Sequence, residues 1–193
     1  MPPFKLSASL SGHDDDVSGP YCAPMSGANV HKVRGVSFPN PGTVVSASRD
    51  ASVRLWTLKN KLPPVFDQSI LSHTSSFINA VAFVPPSSAY PDGLVVSGSR
   101  EGLIEARSPS KRAEDDAEAV LIGHANNICA LHVSEDGTLI VSGSWDTTAR
   151  IWQIGKWSTE DSVVLQGHEA SVWGVLAYSN DLIITGESKS SFY

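Results

Sequence analysis

Serine, histidine and aspartate are the side chains a hydrolase combines as nucleophile, general base and orienting group. This chain carries them in a fixed order more than once. His124 is followed by Ser142 and Asp146, and His13 by Ser46 and Asp50. A catalytic triad occurs once and needs an exposed nucleophile beside an oxyanion hole. Here the set repeats, and the sequence has no Gly-x-Ser-x-Gly turn to lift a serine out of a sheet. Repetition argues for architecture. The histidines are spread one per repeat, without the paired spacing of a metal cage. Neither a phosphate-binding GxxxxGK[ST] nor a GxGxxG is present. The residues describe a binding scaffold with no metal, no cofactor and no chemistry of its own.

The elements that position these residues are hairpins. Val141-Ser142-Gly143-Ser144 alternates small and apolar residues as a strand does. Trp145-Asp146-Thr147-Thr148 has turn chemistry, since an Asp carboxylate folds back onto nearby backbone N–H groups. Ala149-Arg150-Ile151-Trp152 alternates again and ends in a large aromatic. VSASRDASVRLW at 45–56 matches position by position, with Ser46, Asp50 and Trp56 answering Ser142, Asp146 and Trp152. VSGSREGLIEAR at 96–107 is a weaker copy, with Glu101 for the Asp and Arg107 for the Trp. IITGESKSSFY at 183–193 begins a fourth copy at Thr185-Gly186 and then loses the pattern. Gly12-His13, Gly123-His124 and Gly167-His168 precede the hairpins, with Ser72-His73 as the weaker member. His124 to Ser142 is 18 residues and His168 to Thr185 is 17.

The hairpins start at Ser46, Ser97, Ser142 and Thr185, in steps of 51, 45 and 43 residues. A period of roughly 40–45 residues with such hairpins resembles the WD repeat, and the fold class it implies is an all-β WD40 β-propeller with four strands per blade. In WD-repeat proteins the His, Ser, Asp and Trp of one repeat form a hydrogen-bonded chain. The physics agrees, because a buried indole N–H and a buried hydroxyl both need partners. The complete sets are His13-Ser46-Asp50-Trp56 and His124-Ser142-Asp146-Trp152.

Bulk properties exclude several alternatives. With 193 residues, 18% charged and 41% hydrophobic, the chain is long enough for an ordinary globular domain and unlike a disordered one. A net charge of −6 and a pI near 5.4 do not suit a nucleic-acid backbone binder. The two cysteines, Cys22 and Cys129, form no CxxC, which argues against a disulfide scaffold or zinc ribbon. The N-terminal residues lack a signal-peptide pattern, and no apolar run reaches membrane-spanning length, so an intracellular protein without membrane insertion is expected.

Repeats are expected near 4–60, 61–111, 112–155 and 156–193. Phe4–Leu10 alternates as an outer strand of the kind that clasps a ring shut. The first repeat is too long, with 33 residues from His13 to Ser46. Joining Val17 to Arg34 aligns Val17-Arg34-Gly35-Val36 with Val172-Trp173-Gly174-Val175 and sets aside residues 18–33 as a non-native insert of the kind a translated intron would leave; a long functional loop is the alternative. Pro85–Gly93 has loop composition between the first two strands of its repeat, and Lys111–Glu118 is a charged, solvated loop between the last two. After Gly186 the expected hairpin does not follow. The fold is therefore expected to be an incomplete propeller of about four blades, where most WD-repeat propellers have six to eight.

Partners of propellers commonly dock on the face carrying the loops between repeats and the hairpin turns. The positions pointing there are Asp16, Arg34, Arg49, Phe77, Asn79, Arg100, Asn127, Trp145, Ser171 and Trp173. Exposed aromatics and Arg are the types enriched at interface hot spots; packing of Trp145 and Trp173 on neighbouring blades is the alternative. Cys129, in the same column, suits a small buried residue more than a reactive thiol.

A narrower resemblance lies in SASLSGHDDDV with RGVSF, VVSASRDASVRLW, AYPDGLVVSGS, LIGHANNICAL, SGSWDTTARIW and VVLQGHEASVWGV. Over residues 4–17 and 34–186 the chain resembles the N-terminal propeller of the phospholipase A-2-activating protein family, also called the ubiquitin-fusion-degradation WD-repeat proteins. The resemblance implies a ubiquitin-binding loop face and a role as an adaptor in ubiquitin homeostasis and ubiquitin-dependent degradation, in cytoplasm and nucleus. Partnership with an AAA ATPase segregase is implied only through later domains that this chain does not contain. A generic WD-repeat scaffold for another intracellular complex is the competing reading, with an enzyme far behind. Asp14-Asp15-Asp16 would supply acidic groups to steer a basic partner.

Overall fold

The hairpins read from the sequence become the central strands of successive sheets. The computed structural model describes residues 33–59, 65–179 and 182–188, and among these it holds fourteen strands and no helix. The first sheet contains β1 (Val33–Asn40), β2 (Thr43–Ser48), β3 (Ser52–Lys59) and β4 (Val65–His73). The second contains β5 (Ile78–Val84), β6 (Leu94–Ser99), β7 (Ile104–Arg107) and β8 (Ala119–Leu121). The third contains β9 (Ile128–Val133), β10 (Leu139–Ser144), β11 (Ala149–Gln153) and β12 (Val163–Leu165), and the fourth β13 (Val172–Ser179) and β14 (Leu182–Glu187). Each sheet is an antiparallel meander in chain order. β1 packs against β5, β5 against β9 and β9 against β13. The sheets thus stand side by side as blades of an open propeller arc, the all-β class expected from the sequence.

Three hairpins share one register. Ser46 lies opposite Arg54, Ser97 opposite Glu105 and Ser142 opposite Arg150. Their turns share one backbone conformation too. Ala51 and Thr147, just after Asp50 and Asp146, have φ of 63° and 69°. That left-handed region is costly for a residue with a side chain, and the preceding carboxylate offsets it: Asp50 Oδ1 accepts from Ser52 N at 3.0 Å and Asp146 Oδ1 from Thr148 N at 2.9 Å. In the second blade Glu101 stands where the Asp would be, and the strained position is Gly102, with φ of 82°. Glycine removes the need for the cap.

The core lies between sheets. Val45, Val53 and Leu71 of the first sheet meet Ile78, Val81 and Val95 of the second. Leu94, Val96, Ile104 and Leu121 of the second meet Ile128, Ile140 and Trp152 in the third. The inner strands approach closely enough that a Cβ on Gly143 would sit 2.8 Å from the Val172 carbonyl oxygen. The loop between β5 and β6 is anchored rather than free: Trp157 Nε1 donates to the Tyr90 hydroxyl at 2.9 Å, across the second and third sheets. The charged loop between β7 and β8 is also held, because the buried Arg107 donates to the carbonyls of Arg112 and Asp115. Strand 4–10, His13, Asp14, Asp15, Asp16 and residues 18–32 lie outside the described residues. Val33, assigned by sequence to the end of the insert, is the first residue of β1, paired with Ser48.

Candidate partner-binding face

Side-chain hydrogen bonds lock the hairpins, and in the second, third and fourth sheets they reach the segment before the sheet, most completely in the third. Trp152 Nε1 donates to Ser142 Oγ at 2.9 Å. Ser142 Oγ lies 2.7 Å from His124 Nε2, and His124 Nδ1 lies 2.8 Å from Asp146 Oδ2. Burial lowers the His124 pKa, outweighing the hydrogen bond and charge of Asp146 that act to raise it. The neutral ring then has one consistent assignment: Ser142 O–H donates to Nε2, and Nδ1–H donates to Asp146. Burial also acts to raise the Asp146 carboxyl, but donors from Thr148 Oγ1, Ala125 N, His124 and Thr148 N prevail and hold its pKa at about 2. Ser142 is fully buried with Trp152 and His124 as its partners, so it presents no nucleophile to a substrate.

The other blades vary the relay. In the first, Trp56 Nε1 donates to Ser46 Oγ at 2.8 Å, and Ser46, Asp50 and Trp56 are all buried. Arg54 lies 3.5 Å from Asp50 Oδ2. In the second, the buried Arg107 pairs with Glu105 at 2.7 Å, and Ser72 Oγ donates to Glu105 Oε2 at 2.6 Å. A charged pair thus stands where the indole would be, with the Ser72 hydroxyl joined to it. In the fourth, His168 Nε2 lies 2.7 Å from Thr185 Oγ1 and His168 Nδ1 lies 3.2 Å from Glu187 Oε2. Glu187 also accepts from Glu169 N at 2.7 Å and Ala170 N at 3.1 Å. The pattern therefore continues past Gly186. Glu187 stands two positions before the expected Asp, and its longer side chain brings the carboxylate to the same acceptor role. Nothing in a motif search marks it; only the reach of Glu over Asp does.

Beside these relays, at the end of the sheets carrying the hairpin turns, opens a cavity of about 400 Å3. Register explains its lining. Arg49, Arg100 and Trp145 each precede a turn, while Arg34, Asn79, Cys129 and Trp173 occupy equivalent places on β1, β5, β9 and β13. Phe77 and Asn127 complete it. Of the face expected from sequence, Ser171 does not line the cavity and Asp16 lies outside the described residues. Trp145 and Trp173 are 41% and 43% exposed, and their rings touch at 5.7 Å between centroids. They bridge the third and fourth blades without being buried there. The guanidinium carbons of Arg49 and Arg100 lie 5.9 and 5.6 Å from the Phe77 ring centroid. Asn79 Nδ2 donates to Asn127 Oδ1 at 2.7 Å. Burial raises the Cys129 pKa to about 11, and Cys129 Sγ lies 2.9 Å from the Val172 carbonyl oxygen; it is a protonated packing residue. No cluster of three or more His, Cys, Asp or Glu among the described residues could hold a metal ion.

Comparison with known proteins places these features. The family model for the WD domain, G-beta repeat, matches residues 4–57 and 116–153. The chain is 35% identical to the phospholipase A-2-activating protein of Xenopus laevis over 89% of its own length and 19% of that protein's. It is 32% identical to the ubiquitin homeostasis protein lub1 of Schizosaccharomyces pombe over 81% of its own length and 18% of that protein's. It thus spans about a fifth of the length of the curated relatives it matches. A solved structure, the WD40 beta propeller domain of Doa1, superposes with a TM-score of 0.72 and 28% identity over 95% of this chain and 52% of that one.

Proposed function

This chain belongs to the WD-repeat propellers of the phospholipase A-2-activating protein family, and from that premise we propose that it is a non-catalytic ubiquitin-binding adaptor. The observation that carries the reading is the Trp145–Trp173 pair, two half-exposed indoles in contact on the loop face. Large aromatics held rigid at a rim give apolar contact area at small entropic cost. The name of the relative lub1, a ubiquitin homeostasis protein, supports a partner from the ubiquitin pathway. Ubiquitin presents a small apolar patch ringed by basic residues. Arg34, Arg49 and Arg100 repel that ring, so the patch is expected towards the third and fourth blades, on the two indoles. In the whole protein the same reading includes ubiquitin-dependent degradation with an AAA ATPase segregase, in cytoplasm and nucleus.

Titration of ubiquitin with this chain tests the reading. Trp173→Ala should weaken binding by about 10-fold or more, the loss typical of a hot-spot aromatic, while leaving the melting temperature near wild type because the residue is half-exposed. No binding by the wild-type chain, or equal binding by Trp173→Ala, would favour a generic WD scaffold instead.

A further inference from the structure

The arginines of this protein fall into two groups. Arg54, Arg107 and Arg112 each pair with a carboxylate, at 3.5, 2.7 and 3.7 Å, and Arg150 donates to Ser162 Oγ at 3.1 Å. Arg34, Arg49 and Arg100 form no salt bridge with any described residue, yet all three line the cavity on the loop face. Arg49 Nε is buried with no hydrogen-bond acceptor among the described residues, as are the Nε atoms of Arg107 and Arg150. A buried donor without a partner is uncommon and costly. Three cations side by side with no carboxylate partner among the described residues are also unfavourable, and in a chain of net charge −6 they are not part of a general basic surface. The two guanidinium groups over Phe77 are held in place before any ligand arrives, so little entropy is lost when they bind one.

We propose that this cavity docks an acidic peptide segment, seating one side-chain oxyanion, a carboxylate or a phosphate ester, among Arg34, Arg49 and Arg100. Guanidinium forks match both anions, and the charge-assisted hydrogen bonds they form are stronger than neutral ones. About 400 Å3 holds one long side chain with its terminal group. The site is concave and confined to three arginines, whereas a nucleic-acid backbone needs an extended basic track. Phe77, half-buried beside the cations, offers an apolar contact for the stem of the entering side chain. The proposal goes beyond the ubiquitin reading: it uses the arginines of the first and second blades, on the same cavity whose opposite part carries the indoles of the third and fourth.

Anisotropy of a labelled Glu-rich peptide, titrated with the 193-residue chain, tests the site. A phosphoserine version, a Gln version and inorganic phosphate serve as competitors. The Glu or the phosphoserine peptide should bind in a salt-sensitive manner, the tighter of the two identifying the anion, and the Gln peptide should not compete. Arg49→Glu and Arg100→Glu should each weaken binding by about tenfold or more. Arg34→Glu, on an exposed strand position, should do the same and serves if a turn variant fails to fold. Competition by the Gln peptide equal to that of the acidic ones would overturn the proposal. So would charge reversals that leave affinity unchanged, or inorganic phosphate competing as well as either peptide, which would mark a free-anion site.

Discussion

The relay through Ser142 has a single direction. Its hydroxyl oxygen receives the Trp152 N–H, its own proton goes to His124, and the second His124 nitrogen passes a proton donor on to Asp146. Every member depends on the next, so loss of one leaves others buried and unpaired. Trp152→Ala should cost about 3–5 kcal/mol, as for a buried aromatic, out of a total that for most domains is only about 5–15 kcal/mol. Chemical denaturation checks this; an unchanged midpoint would refute a structural role. The same relay sets the acid response. The His124 pKa is lowered by burial, so below its ordinary 6.5 the unfolded chain takes up a proton that the folded chain refuses. Stability therefore falls as pH drops from 6.5 towards the folded pKa, and the His132 pKa, also lowered by burial, acts in the same sense. Asp146 opens a second window. Its carboxyl is held at about 2 against an ordinary 3.8, so its contribution is complete above 3.8 and is lost as pH falls through 2. Melting temperature measured against pH should decline in these two steps, and Asp146→Asn should remove the lower one and enlarge the upper, because the charge that raises the His124 pKa is gone.

At the scale of the element, the turn decides which residue each hairpin accepts. Gly102 is the one such position where the left-handed backbone carries no carboxylate cap, and a Cβ there would lie 2.5 Å from the His124 carbonyl oxygen of the next blade. Gly102→Ala should destabilise by more than about 1 kcal/mol, since strain and collision add. A thermal melt within a degree of wild type would contradict that geometry. What the sequence made legible follows the same local logic. Ser, Asp and Trp recur at fixed offsets because every hairpin has one register, and Arg49, Arg100 and Trp145 come together because each precedes the same turn. Contacts that depend on side-chain reach across the fold left no such trace. Glu187 takes an Asp role from two residues away, Ser72 meets Glu105 across 33 residues, and Trp157 finds Tyr90 across 67. A loop such as 85–93 has the composition of solvated chain and still contributes a ring to the core edge, because one aromatic in a polar segment is invisible to a periodicity argument.

At the scale of the molecule, the two ends of the arc expose what the middle buries. Val36 and Phe38 on β1 are 50% and 73% exposed, and Leu176, Tyr178, Leu182 and Ile184 form an apolar patch on β13 and β14. In the middle of the arc the equivalent faces are covered by the next sheet. The 193-residue chain should therefore self-associate in a concentration-dependent way by sedimentation velocity, and Phe38→Lys with Tyr178→Lys should shift it towards monomer. A wild-type chain that stays monomeric at all accessible concentrations would argue against this. The stagger between sequence and sheet has a further consequence. Among the described residues the Gly-His markers fall after the outermost strand of one sheet and before the innermost strand of the next, as His124 does between β8 and β9 and His168 between β12 and β13. One copied unit of chain therefore brings the outer border of its predecessor together with three strands of its own. Duplication or loss of a whole unit during evolution leaves every sheet with its full complement of strands, whereas a change by any other length strands an edge. Blade number in such a molecule can drift by integers while each intermediate remains foldable.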